Sequence, residues 1–214
     1  MINEKDLLPR TLDECVISDV RSKDILAKII SRQLPFPSFG KCGILIHGTY
    51  GTGKSTLARL LPDLIEQSLG GMDSYYDFYA CEKGGNSVLM VSKIGTGTEL
   101  VPAGSFHYTV LDEADNLSGL AQKTLKAIMD GNHGIFIMTT NELKSMDEGV
   151  INRSHVVSMF SAPPSYWLPM VRRVIAGYGS RIPPDSALLP VIEMGNGSAR
   201  NILTSAVEIA VLTQ

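Results

Sequence analysis

The chain has 214 residues, 44% hydrophobic and 19% charged, with a formal net charge of −3. That length supports one good core, or one domain with a small satellite, and the charge excludes a broadly basic nucleic-acid binder, leaving only local basic contacts. The opening MINEKDLLPR lacks an apolar signal core and no run approaches bilayer-spanning length, so a cytoplasmic protein without a membrane partner is expected.

In chain order, SKDILAKIISRQ (22–33) places Ile25, Leu26, Ile29 and Ile30 on one helical face. CGILIHG (42–48) is a compact buried strand, followed by a glycine loop and a helix carrying Leu57, Leu60 and Leu61. Pro62 is expected to end or restart that helix, because it removes an amide and clashes with the preceding turn. Further strand candidates are YYDFYA (75–80), FHYTVLDE (106–113), GIFIMTT (134–140) and HVVSMF (155–160). A helix at 118–130 turns Leu125, Ile128 and Met129 inward. Strands separated by helices imply a parallel sheet covered on both faces, with nucleotide bound beyond the carboxyl ends of the strands. After SAPPS (161–165) the strand signals stop. Three helices follow, at roughly 164–177, 185–193 and 197–213, punctuated by Pro163, Pro164, Gly177, Gly179, Pro183 and Pro184. The shift predicts an α/β nucleotide-binding domain over 1–161 and a small helical domain over 162–214. Cys15, Cys42 and Cys81 form no CxxC pair and, with His47, His107, His133 and His155, suggest no zinc site. Their odd number fits a reducing compartment.

Gly48-Thr49-Tyr50-Gly51-Thr52-Gly53-Lys54-Ser55 matches GxxxxGK[ST] between a buried strand and a helix. Glycines let successive amides turn inward around phosphates, Lys54 supplies a point charge, and Ser55 a hydroxyl to Mg²⁺. The following helix adds a positive dipole end, with Thr56 among the candidate cofactor-binding residues. Farther on, YTVL ends in Asp112-Glu113, where one carboxylate can hold Mg²⁺ and the next polarise an attacking water. Thr139-Thr140-Asn141 closes another strand, and the Asn141 amide can reach a γ-phosphate or that water; capping of the next helix is the bland alternative. Arg153, before the last strand, and Arg200, near the start of the final helix, are candidate transition-state or sensor arginines. The letters D-E-A-D (112–115) invite comparison with DEAD-box helicases, which the chain is too short to match.

Taken in order, these residues resemble the AAA+ ATPases, and most of all the ATPase subunits of DNA-polymerase sliding-clamp loaders. LPRTLDECVISD (8–19) is similar to the family's R-P-x-T-L-D-D-V-V-G segment. LDEADNLSGLAQKTLKAIMD (111–130), FIMTTNEL and GNGSARNIL (195–203) resemble its D-E-A-D stretch, sensor strand and lid-helix start. The resemblance implies an AAA+ P-loop NTPase fold: a five-stranded parallel sheet flanked by helices, then a three-helix lid. It implies that Lys54 and Ser55 bind ATP phosphate and Mg²⁺, with Asp112 as metal carboxylate and Glu113 as base. Asn141 becomes sensor 1 and Arg200 sensor 2. Arg153 would reach into a neighbouring subunit's ATP, so copies of the chain or homologous AAA+ subunits are expected partners. The segment from Arg10 to Val16 would lie against adenine, and Gln122 would couple a DNA-facing helix to Glu113. Starts of helices near KGGNS (83–87) and SGLAQK (118–123) would face DNA, with Lys83, Lys123 and Lys126 near its phosphates. A sliding clamp or other replication protein would be the further partner.

This sequence departs from the family in three places. The loop reads GTYGTGKS rather than G-P-P-G-T-G-K-T, NRSH replaces Ser-Arg-Cys around Arg153, and the chain stops at Gln214, where clamp-loader subunits continue into a collar domain. A pentamer, a collarless hexamer or a DNA-wrapped filament therefore stay open, as does a DNA-remodelling or helicase-loader-type role. Outside this class stand a small-molecule P-loop kinase and an assembly module with little turnover.

Overall fold

A computed structural model describes residues 7–71, 74–84, 87–100, 102, 104–131 and 134–212. Short β-rich runs become five strands: β1 (Gly43–His47), β2 (Tyr76–Ala80), β3 (His107–Asp112), β4 (Gly134–Thr140) and β5 (Ser154–Ser158). All pair in parallel, in the order β2-β3-β4-β1-β5. Strand periodicity then sorts the core. Ile44, Ile46, Val110, Ile135 and Ile137 point to one face, while Leu45, Leu111, Phe136 and Met138 point to the other. Helices α1 (Val20–Ile30) and α2 (Lys54–Ser68) cover the first face. The second is covered by α3 (Ser87–Thr98), α4 (Gly119–Met129) and α5 (Glu148–Asn152). Caps mark the helix starts: Asp19 accepts from the Ser22 amide at 2.8 Å, and Ser118 from the Ala121 amide at 3.3 Å.

Pro62 does not end α2. The helix runs through it to Ser68, against the sequence expectation. Loss of one backbone bond and the ring clash cost about 3 kcal/mol. The burial of Leu57 and Leu61 before it and Ile65 after it contributes about 2 kcal/mol each, which outweighs that cost. One turn later Glu66, also buried, accepts hydrogen bonds from the Ser105 amide and hydroxyl, each at 2.8 Å, and from the Tyr108 hydroxyl at 2.7 Å. It fixes the approach to β3.

The helices α6 (Pro164–Gly177), α7 (Asp185–Met194) and α8 (Ala199–Leu212) surround a third core built on Trp167, Ile175, Leu188 and Ile202. Leu7 and Val16 pack against this core. Arg173 reinforces the attachment, donating to the Leu7 carbonyl at 2.8 Å and pairing with Glu14 at 2.6 Å. The segment before α1 is thus laced to the three helices.

Candidate active site

The site forms at the carboxyl ends of β1, β3 and β4, which the strand order makes neighbours. After His47 the chain enters a loop that needs its glycines. Gly48 has φ 151°, and a Cβ there would collide with the Met159 carbonyl oxygen. Gly51 and Gly53 lie at φ 76° and 96°, the second serving as the left-handed cap of α2. The Thr52 hydroxyl is shared between the Thr49 carbonyl (3.0 Å) and the Met159 carbonyl (2.9 Å), tying the loop to the chain after β5. Lys54 is buried, and its ammonium donates to the Gly48 and Thr49 carbonyls at 3.0 and 2.6 Å. Burial pulls its pKa down, while Asp112, Asp115 and Glu113 push the other way.

Opposite the start of α2, Asp112 ends β3. Its Oδ1 accepts from the Ser55 hydroxyl at 2.7 Å and from the Thr139 hydroxyl at 2.6 Å. Glu113 follows in the left-handed region at φ 56°, ψ 50°, a conformation costing a non-glycine residue roughly 1–2 kcal/mol. Its amide donates to Thr139 Oγ1 at 2.9 Å, and its carboxylate accepts from the Asn116 side chain at 3.1 Å. The Asn116 amide also holds the Cys81 carbonyl at 2.9 Å, so the end of β2 reaches the same carboxylate.

Two adjoining cavities flank the loop, both touching Gly53, Thr56, Ala199 and Leu203. One is a polar cleft lined by Tyr50, Lys54, Ser55, Glu113, Asn141 and Arg200. The other is an apolar slot lined by Leu8, Val16, Leu57, Met159, Trp167 and Met170. The start of α8 closes over both: the Ala199 amide donates to the Gly51 carbonyl at 2.7 Å. Arg200 is exposed there, and its guanidinium has no hydrogen-bond or ion-pair partner among the described residues.

These donors fit a nucleoside triphosphate with Mg²⁺. The glycine cradle and two cations suit phosphates, the apolar slot suits a base, and the paired oxygens of Ser55 and Asp112 suit a hard divalent cation that keeps several waters. Among the described residues, no group of three or more His, Cys, Asp or Glu side chains forms a separate metal centre. Cys15, Cys42 and Cys81 are buried and free, and burial pushes their thiols up to about 12, 11 and 12.

Most residues singled out in the sequence converge here: Gly48 to Gly53 build the loop, Lys54 to Thr56 begin α2, Asp112, Glu113, Asn141 and Arg200 face them, and Val16 lines the slot. Arg10 is not among the slot's lining residues; its amide donates to the Glu14 carboxylate at 2.6 Å, while Leu7, Leu8 and Pro9 reach the slot. Arg153 stands at the opposite end of the sheet, held by Asp130 (2.7 Å) and the Gly149 carbonyl (2.9 Å). Gln122 is buried and bonds the Leu117 and Ser145 carbonyls and the Asp147 amide; among the described residues none of its hydrogen bonds goes to Glu113. Lys83 and Lys123 are exposed, whereas Lys126 is half-buried against Gly149. Gly85 and Asn86 of KGGNS, and His133, lie outside the described residues. Sequence reasoning missed the joint role of Thr139 and the grip of Asn116. The one available signal was a pair of threonines closing an otherwise apolar strand.

Residues 44–162 match the family described as "ATPase family associated with various cellular activities (AAA)". Among curated proteins, the chain is 26% identical over 209 residues to replication factor C small subunit 2 of Pyrobaculum islandicum, covering 96% of this chain and 62% of that protein. It is 25% identical over 200 residues to replication factor C subunit 4 of Encephalitozoon cuniculi, covering 92% and 63%. The chain therefore spans about three fifths of the length of these relatives. Among solved structures, a RuvB variant of Thermotoga maritima aligns with a TM-score of 0.66 at 16% identity, covering 94% of this chain and 64% of that one. PCH-2 of C. elegans aligns at 0.63 and 15%, covering 88% and 62%. At these identities, the structural likeness establishes the fold alone.

Proposed function

Because the chain belongs to the AAA family of ATPases, we propose that its cleft binds ATP with Mg²⁺, hydrolyses it, and uses the cycle to act on DNA in replication as a clamp-loader-like switch. The observation that carries this reading is the Ser55–Asp112 contact of 2.7 Å with Glu113 turned beside it on its left-handed backbone. Lys54 and the loop amides bind phosphate; Glu113 accepts the proton of the attacking water; Asn141 and Arg200 hold the far side of the phosphate. Ser55 and Asp112 would hold Mg²⁺, which would supply charge neutralisation for the phosphates. The slot beside Val16 takes the base.

Arg153 cannot serve this cleft from the opposite end of the sheet. It suits a neighbour's, which makes other copies of the chain or homologous AAA+ subunits its partners. The replication factor C likeness supports DNA and a sliding clamp or similar replication protein as further partners, with Lys83 and Lys123 available to DNA phosphates. We read residues 1–161 and 162–214 as the two domains, and the free buried thiols support a cytoplasmic setting. Among the described residues, no helix is long and apolar enough to cross a membrane.

Glu113→Gln tests the hydrolytic claim. It is expected to bind ATP within about threefold of the parent while turnover falls roughly 10²-fold or more. Unchanged turnover would favour a different base and sink the assignment. The mass of the particle formed with a non-hydrolysable ATP analogue and primed DNA separates a pentamer from a hexamer or filament.

A further inference from the structure

Thr139 takes part in both halves of the acidic pair although it comes from another strand. Its single hydroxyl donates to Asp112 Oδ1 at 2.6 Å and accepts the Glu113 amide at 2.9 Å. The residue is 1% exposed on β4, a strand buried along its whole length, so the hydroxyl has little freedom to choose other partners. We propose that Thr139 is the positioning residue of the site, which sets the rotation of the Asp112 carboxylate toward Mg²⁺ and holds Glu113 in its left-handed turn. The inference rests on the reading of Asp112 as the metal carboxylate and Glu113 as the base.

The physical reason lies in how the oxygens are shared. Oδ1 of Asp112 receives both hydroxyls, from Ser55 and Thr139, while Oδ2 has no hydrogen-bond partner among the described residues. A Ser55 hydroxyl that turns a lone pair to a cation still has its proton to donate to Asp112, and Thr139 is the second donor, from another strand, that keeps the carboxylate from rotating. The Glu113 amide is the second half. A left-handed non-glycine residue persists only where its surroundings over-determine it, and the Thr139 oxygen is the acceptor that satisfies this peptide. Without the hydroxyl, the amide is left without its acceptor and the turn is free to relax. Both effects require β3 and β4 to be adjacent and in register, with Leu111 opposite Met138. One residue of slip would turn the hydroxyl to the other face.

The test compares Thr139→Val, which keeps shape and loses the hydroxyl, with Thr139→Ser, which keeps the hydroxyl. Calorimetric titration with a non-hydrolysable ATP analogue, in EDTA and across a Mg²⁺ series, reads Asp112 without any turnover. The valine variant is expected to bind the analogue in EDTA within about threefold of the parent, but to need roughly tenfold more Mg²⁺ for the same gain in affinity. Its turnover is expected to fall 10- to 100-fold at saturating ATP, with little change in KM, and the serine variant is expected to restore both readouts to within about threefold. A valine variant with the parent's Mg²⁺ dependence overturns the proposal, and so does a serine variant as impaired as valine. Glu113→Gln runs in parallel. If it turns over like the parent, the hydrolytic reading fails, while the Mg²⁺ series still decides the role of Thr139.

Discussion

Glu66 shows what one buried carboxylate does when every contact is chosen for its charged form. Burial pushes its pKa up, but the Tyr108 hydroxyl and the Ser105 amide and hydroxyl outweigh that, and the net shift is below the ordinary value of 4.5. A folded-state pKa lowered in this way gives stability that is present above the unfolded pKa and lost as pH falls through the folded one. Glu66→Gln should therefore cost about 1–2 kcal/mol in urea melts at pH 7, and the gap to the parent should close as the pH drops below about 4. A gap independent of pH would mean that the ionisation of Glu66 contributes nothing and only the lost acceptor oxygen matters. The residue scale is also where the sequence was most and least legible. Gly48 to Ser55 could be read directly, because phosphate binding by a glycine loop is written in contiguous residues. Thr139 could not, since its work depends on which strand lies beside β3, and no periodicity in the chain states that.

At the scale of elements, patterning identified β1, β3, β4 and β5 as short runs with an apolar centre, and β2 by its aromatic residues. The three helices after residue 162 were legible because Pro and Gly bracket them. Patterning alone did not reveal α3, whose start near KGGNS only the family resemblance implied, or α5, and it misplaced the end of α2. α3 contains Gly95 and Gly97 and two β-branched threonines near its end, a weak helical sequence that tertiary packing through Val91 and Ile94 holds in place. α2 was expected to break at Pro62, and did not because its buried face continues on both sides. That gives a direct test: Pro62→Ala restores the missing amide and removes the clash while giving up only part of one buried ring. The variant should raise Tm by a few degrees, the equivalent of about 1 kcal/mol. A lower Tm would show that the ring's packing outweighs the backbone strain.

At the scale of the whole molecule, the candidate cleft and Arg153 stand at opposite ends of the sheet. The cleft with Lys54 and Glu113 lies at the carboxyl ends, whereas Arg153 sits before β5 and is 23% exposed beside Asp130. If assembly joins these ends between copies, Arg153→Ala and Glu113→Gln should each be nearly inactive alone yet regain a measurable fraction of ATPase activity when mixed. In the mixture, an intact Glu113 on one copy can meet an intact Arg153 on the next. A mixture as inactive as its components would argue that Arg153 is only the structural partner of Asp130. The lid adds a consequence of another kind. Trp167 is the chain's one tryptophan, it is 2% exposed, and its α6 wall faces the apolar slot that also borders Gly53 and Leu203. The protein thus carries its own optical label at the place where the base would sit. Nucleotide should change the indole emission without any dye, saturating at the concentration that saturates binding, and Trp167→Phe should leave the signal dark. A constant emission spectrum at saturating ATP would mean that the base lies elsewhere.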